Sequence, residues 1–186
     1  MQQLIEQFGH IDVYLFDQLL RGRITPEMRV LDAGCGGGRN LVYLQRRGAC
    51  TIGLDRDPQS AASVRGTVDA LPFPDDSFDG VICNAVLHFA PDEPSFAALV
   101  DELWRVLAPG GLFFARLASD IGIEERVRRL RGRWCELPDG TERFLVDEAL
   151  LIETGERLGA SLLDPIKTTN VQGRRCMTTW VLGKHR

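Results

Sequence analysis

A chain of 186 residues is long enough for one domain that buries roughly 70% of its unfolded surface without staples. Its 44% hydrophobic and 26% charged content is ordinary for a globular protein, and a net charge of -4 removes the electrostatic ground for non-specific binding to nucleic acid or anionic lipid. Five cysteines (Cys35, Cys50, Cys83, Cys135 and Cys176), odd in number and without a C-x-x-C pair, indicate neither a disulfide framework nor a metal site, and no apolar run approaches the ~20 residues of a membrane span.

In residues 4–20, Leu4, Ile5, Phe8, Ile11, Leu15 and Leu19 fall at three- and four-residue steps. The spacing predicts one amphipathic helix, with Gly9 as its weak point, inside an N-terminal helical cap of residues 1–28. Glu6 and the lack of a basic region before an apolar core speak against a secretory signal, so the expected location is cytoplasmic. A helix ahead of the first strand cannot be a crossover and is expected to lie across one edge of the sheet, over a ligand.

Residues 29–40, RVLDAGCGGGRN, are the stretch around which the chain is organised. Val30 and Leu31 end a buried strand, Gly34, Gly36, Gly37 and Gly38 turn the backbone sharply, and Leu41, Val42 and Leu44 resume helical spacing. Such a strand, turn and helix presents unpaired N–H groups and a helix dipole to a nucleotide-like ligand.

A second strand, CTIGLD, ends in Asp55, about 20 residues past the first glycine, where an acid can accept from both ribose hydroxyls. Asp57 and Pro58 are then expected to open a short helix running to about Arg65. Val68 and Asp69 end a brief third strand, residues 69–74 form a proline-stiffened loop, and FDGVIC at 78–83 is a fourth strand from whose end Asn84 to His88 depart. Residues 94–107 are amphipathic and helical, Pro109, Gly110 and Gly111 stop them, and LFFARL at 112–117 is a fifth strand carrying Arg116. Residues 118–145 read as an arginine-rich, partly helical insertion, and 146–158 as a helix. Residues 161–169 and 174–182 read as a hairpin with its turn at 170–173. The fold expected is α/β: a single doubly wound Rossmann-like domain over 1–186, with a mostly parallel sheet that ends in an antiparallel hairpin.

In their order these motifs resemble the class I S-adenosylmethionine-dependent methyltransferases. LDAGCGGGRN resembles the family's cofactor loop, GLDRDP its ribose-binding strand end, and DALPFPDDSFDGVICNAVLHF its adenine loop and following strand. LWRVLAPGGLFFARL matches the helix, turn and strand that come next. Asp32 with Gly34, Gly36, Gly38, Arg39 and Asn40 is similar to the small tellurite-resistance type, as is the carboxy-terminal NVQGRRCMTTWVLGK. The resemblance implies S-adenosyl-L-methionine as cofactor. Asp32, Gly34, Cys35, Gly36, Gly38, Arg39 and Asn40 would lie on the cofactor loop and Asp55 and Arg56 at the ribose. Asp69 and the Ala70 N–H would meet the adenine, and Asn84 the methionyl part.

Methyl transfer from a sulfonium is an in-line displacement that proximity and desolvation can accelerate, and a base is needed only where the acceptor must shed a proton. His88 is the candidate base or substrate contact, and His10 a weaker one. Arg126, Arg128, Arg129, Arg131 and Arg133 crowd one segment before Trp134, where they either grip an anionic acceptor or form a solvated face. Arg116 and Arg175 are further substrate-binding candidates because each lies in a strand. The leading expectation is transfer to a small-molecule acceptor, without nucleic-acid or membrane partners. Rival readings are a non-catalytic cofactor-binding module and a nicotinamide-dependent oxidoreductase, although Arg39 stands where the third glycine of G-x-G-x-x-G belongs.

Overall fold

The computed structural model describes residues 2–59 and 63–186. In chain order the strands are β1 (Val30–Ala33), β2 (Thr51–Asp55), β3 (Ser63–Arg65), β4 (Phe78–Asn84), β5 (Leu107–Ser119), β6 (Arg128–Arg131), β7 (Trp134–Glu136), β8 (Glu142–Phe144), β9 (Ala160–Leu162), β10 (Lys167–Val171) and β11 (Arg175–Lys184). The helices are α1 (Gln2–Phe8), α2 (Val13–Leu20), α3 (Val42–Arg46), α4 (Glu93–Val106) and α5 (Glu148–Arg157).

Among the described residues, eight strands form the main sheet in the order β10-β11-β5-β4-β1-β2-β3, with β9 also paired to β11. The β1–β2, β1–β4, β2–β3 and β4–β5 pairs are parallel, while β11 runs antiparallel to β5, β9 and β10. The fold is the expected Rossmann-like α/β arrangement with a reversed last strand. The terminal hairpin turns slightly later than its sequence suggests, at residues 172–174.

Crossovers from β1 to β2 and from β4 to β5 run in opposite directions, and the right-handed rule then puts α3 and α4 on opposite faces. On the α4 face Phe96, Val100, Leu103 and Val106 are buried among Leu31, Val81, Phe113, Ala115 and Trp180, each contributing roughly 1.5–3 kcal/mol for the apolar group it removes from water. Asp92 caps that helix by accepting from the Ser95 N–H at 2.9 Å.

The opposite face would be bare over β4, β5 and β11, since α3 reaches only the β1 side. α2 fills that gap, with Leu15 packed in one cluster with Ile82, Phe114 and Val181. This corrects two expectations. The N-terminal segment covers a face of the sheet, where apolar side chains need cover, and does not lie across an edge. It is also two helices, because Gly9 at φ +65° ends α1 and Asp12 caps a new helix by accepting from Tyr14 N–H at 2.9 Å.

Three further expectations change. Of the helix expected from Asp57 to about Arg65, residues 60–62 lie outside the described residues, 57–59 are not helical, and 63–65 are strand β3, parallel to β2. Val68 and Asp69 therefore do not end the third strand; they sit in a turn closed by a Thr67–Ala70 bridge. The insertion at 118–145 is β-rich, a single 3-10 turn at Glu124–Arg126 preceding the antiparallel sheet β6-β7-β8. Its arginines are matched by acids: Arg128 of β6 pairs with Glu136 across the hairpin, and Arg133, in the turn between β6 and β7, bridges Glu93 and Asp147 at 3.0 and 2.8 Å.

Candidate functional site

Gly34 leaves β1 at φ +81°, and its N–H and that of Cys35 donate to Leu54 O at 2.7 and 3.0 Å, so the loop is tied to β2 as it turns. A Cβ on Gly34 would meet Val86 Cγ2 at 2.2 Å, whereas one on Gly36 or Gly38 would point into open space. The Gly36 N–H donates to Asp55 Oδ2 at 2.8 Å and the Gly38 N–H to Cys35 O at 2.9 Å. Much of the donor set expected to face a ligand is thus satisfied within the loop, and α3, at five residues, starts only at Val42. What the loop presents is a bare backbone surface beside the Asp55 carboxylate. The buried Cys35 thiol, pushed up in pKa by burial, lies 3.4 Å from Ser63 Oγ.

Above these strand ends opens a cleft of about 900 Å³, where strand order reverses between β1 and β4. Gly34, Asp55, Arg56 and Asp69 line one side, and Val86, Phe89, Pro91 and Leu99 are among the residues of the apolar other side. Ala85 takes φ +63°, and this turn at the end of β4 brings Val86 against Gly34. Residues 69–75 are held by α4: Glu102 accepts from Leu71 N–H at 2.8 Å, and Arg105 donates to Leu71 O, Phe73 O and Asp75. The Ala70 N–H donates to Thr67 O at 3.3 Å, so an adenine nitrogen would have to take it over.

Asp32 is fully buried, and neither carboxylate oxygen has a partner within hydrogen-bonding geometry among the described residues, although the Asn40 side chain stands near enough to oppose the rise in its pKa. Burial pushes its pKa up to about 7, with Asn40 and Arg39 acting in the opposite sense. Asn40 and Arg39 themselves turn toward the N-terminal segment: Asn40 Oδ1 accepts from Asp12 N–H at 3.2 Å, and Arg39 Nη1 donates to His10 O at 3.1 Å. Asn84 is buried at the end of β4 with Nδ2 unpartnered, and Arg116, next to it on β5, donates to Asp12 Oδ2 at 3.0 Å. Asp12 is thereby held from the glycine loop and from β5 together, a clamp that a lone acid in an expected helix did not announce.

The remaining candidates lie elsewhere. His88 is buried but does not line the cleft, and its Nδ1 accepts from Ala118 N–H at 3.2 Å. That bond puts the neutral ring's proton on Nε2, which leaves no lone pair for a base, and burial with the nearby Arg143 charge lowers its pKa to about 4. Trp134 donates to Glu142 at 3.0 Å in the small sheet, and Arg175 is exposed at the start of β11; neither lines the cleft. Sequence reasoning missed Thr179, buried on β11 beside Arg116, and the apolar wall from Val86 to Leu99. Alternation of Thr179 with Val181 was the available signal for the former. Among the described residues no group of three or more His, Cys, Asp or Glu could hold a metal, and no helix is long and apolar enough to cross a membrane.

Residues 31–115 match a family of methyltransferase domains. A methyltransferase of Synechocystis sp., itself described as uncharacterized, is 37% identical over 101 residues, 48% of this chain and 47% of its own. A malonyl-[acyl-carrier protein] O-methyltransferase of Halorhodospira halophila is 33% identical over 172 residues, 82% of this chain and 54% of its own. The chain spans about half the length, or less, of curated relatives such as these. Among solved structures, a Burkholderia thailandensis 1,6-didemethyltoxoflavin-N1-methyltransferase, with 1,6-didemethyltoxoflavin and S-adenosylhomocysteine bound, superposes with a TM-score of 0.69 at 19% identity. That likeness covers 91% of this chain and 75% of the other, and it extends the shared fold well beyond the matched domain.

Proposed function

This chain carries the methyltransferase domain of the class I S-adenosylmethionine-dependent family, and from that premise we propose that it transfers a methyl group to a small-molecule acceptor. The observation that carries the reading is the pairing of the cleft with the orphaned polar atoms beneath it. A bare glycine surface and Asp55 stand at one end, and the partnerless oxygens of Asp32 and Nδ2 of Asn84 at the other. These residues fit a ligand that is a nucleoside at one end and an amino acid at the other.

Asp55 would take the ribose hydroxyls while still anchoring Gly36, since each carboxylate oxygen has a second lone pair. Asp69, on the loop stiffened by Glu102 and Arg105, would accept from the adenine amino group, with Arg56, Phe89 and Leu99 lining the space around it. Asp32 would hold the methionine ammonium, and the Asn84 amide its carboxylate or the sulfonium side. When bound, S-adenosylmethionine supplies an electrophilic methyl whose departure discharges a sulfonium. The chain itself contributes alignment and exclusion of water: the Asp12 clamp closes α2 over the strand ends, and the wall from Val86 to Leu99 keeps the cleft apolar. Among the candidates no side chain is assigned as a general base, in keeping with a nucleophile that needs none; His88, with its proton on Nε2, acts as a donor or as packing.

Calorimetric titration with S-adenosylmethionine, S-adenosylhomocysteine and NAD tests the reading. Both adenosyl ligands should bind the wild type and NAD should not, with Asp55→Ala losing most of the affinity. Failure of both to bind refutes it.

A further inference from the structure

Asn84, Arg116 and Thr179 stand side by side on β4, β5 and β11, Cα-paired in register, so their side chains share one face of the sheet. Asp32 lies on the same face of β1, paired with Ile82, two residues before Asn84. Among the described residues six buried side-chain nitrogen or oxygen atoms lack a partner, and five lie in this row: both oxygens of Asp32, Asn84 Nδ2, Arg116 Nε and Thr179 Oγ1. Buried polar atoms are nearly always paired. One orphan is ordinary; a run of them across four neighbouring strands, buried beside Gly34 and Ala85 rather than lining the cleft itself, marks a row suited to something polar.

The chemistry changes along the row. At the β1 end it is a carboxylate, an acceptor suited to an ammonium. At the β5 and β11 end it offers two adjacent donors, the Nε edge of a guanidinium and a hydroxyl. Arg116 commits Nη1 to Asp12, which fixes the plane of the fork and leaves the Nε edge open. The Tyr14 ring lies 4.9 Å from the guanidinium carbon and roofs it, itself fixed by a 2.6 Å hydrogen bond to Thr169. A planar oxyanion satisfies that geometry better than a neutral carbonyl, because the bond it accepts is charge-assisted and the surroundings are dry. Asp12 keeps the half-buried guanidinium from standing unpaired when the subsite is not engaged.

We propose that Arg116 and Thr179 form the subsite for a carboxylate on the methyl acceptor, so that the substrate class is a small carboxylic acid positioned by its anion. The assignment rests on the reading above, which gives Asp32 and Asn84 to the cofactor and so leaves the other end of the row to the acceptor.

The test compares benzoate with benzamide, equal in shape and different in charge, by ligand-observed NMR titration with and without saturating S-adenosylhomocysteine. Benzoate should bind the wild type about ten-fold more tightly, the difference one charge-assisted hydrogen bond can supply. Thr179→Val removes only an orphaned hydroxyl, so it should melt at or above the wild type while losing most of that preference. Arg116→Lys keeps the charge beside Asp12 and removes the Nε edge, and it should lose the preference as well. Affinity for S-adenosylhomocysteine should stay within about two-fold in both variants, a change too small for a lost hydrogen bond. Equal binding of the two probes, or an undiminished preference in both variants, overturns the proposal. So does a Thr179→Val protein that loses S-adenosylhomocysteine instead, since the row would then hold the cofactor's own carboxylate. If the wild type fails to bind S-adenosylhomocysteine yet prefers benzoate through Arg116, the cofactor reading falls and the anion subsite stands.

Discussion

Asp55 Oδ2 accepts the Gly36 N–H at 2.8 Å while Oδ1 accepts the Asp57 N–H at 3.0 Å, so the carboxylate assigned to the ribose also fastens the glycine loop to the end of β2. Affinity and loop order are therefore coupled at one side chain. Asp55→Asn retains an acceptor for one of the two amides and should lose roughly 1 kcal/mol of stability, against roughly 2 kcal/mol for Asp55→Ala. Both should bind S-adenosylmethionine at least about ten-fold more weakly, because neither presents two anionic oxygens to the ribose. Urea unfolding and calorimetric titration on the same preparations separate the effects; an Asn variant with unimpaired affinity would remove the ribose role.

Two glycines of the loop should fail in different ways. At Gly34 an added Cβ falls 2.2 Å from Val86 Cγ2, so Gly34→Ala must displace the wall of the cleft and should cost several kcal/mol, as overpacking adds to strain at positive φ. At Gly38 the Cβ meets nothing within 4 Å, and Gly38→Ala should cost only the roughly 1–2 kcal/mol of a left-handed alanine. Its methyl would nonetheless occupy the surface where the ligand backbone lies. Melting temperature should fall much further in the first variant, whereas in the second the loss of affinity should exceed the loss of stability.

The glycine loop, the parallel order and the reversed last strand were legible because each has a local cause: a turn that needs glycine, apolar runs of strand length, a hairpin. The β6-β7-β8 sheet was not, since its strands are short and charged, Arg128–Arg131 and Glu142–Phe144 among them, and carry no apolar alternation to mark them. Its turn signals, Arg131-Gly132-Arg133 and Leu137-Pro138-Asp139-Gly140, were nevertheless present. The break at Gly9 was seen as weakness in one helix and became a joint between two, because α2 must lie on the bare face of β4, β5 and β11. Arg116 could be picked out as a charge within a strand. That it stands between Asn84 and Thr179 depends on register between distant strands, which no local pattern contains.

His88 illustrates how burial overrides residue type. Its folded pKa of about 4 lies below the ordinary value of 6.5, so the native state binds fewer protons than the unfolded chain over that interval. The stability it brings is present above about 6.5 and is lost as pH falls toward 4. Its imidazole resonances should not titrate between about pH 5.5 and 8, where an unperturbed histidine would. His88→Leu should destabilise the protein by about 1–3 kcal/mol, the cost of stranding the Ala118 N–H. If a turnover profile showed an ionisation near 6.5 that vanished in His88→Gln, the ring would be a base after all.

Asp32 has the opposite sign. Its folded pKa of about 7 lies above the ordinary value of 3.8, so the native state holds a proton the unfolded chain has released. That stabilisation is complete below about 3.8 and is lost as pH rises through 7; Asp32→Asn should therefore flatten the decline between those limits and raise the stability of the ligand-free protein at pH 8. Binding reverses the preference, because an ammonium placed on the two orphaned oxygens favours the carboxylate. S-adenosylmethionine should bind more tightly at pH 8 than at pH 6 and release a proton at the lower pH. Calorimetry in two buffers of different ionisation enthalpy measures that proton directly. Asp32→Asn should release none and should bind with little dependence on pH. Proton release undiminished in the variant would mean that another group meets the ammonium, and the buried carboxylate would then need a different partner.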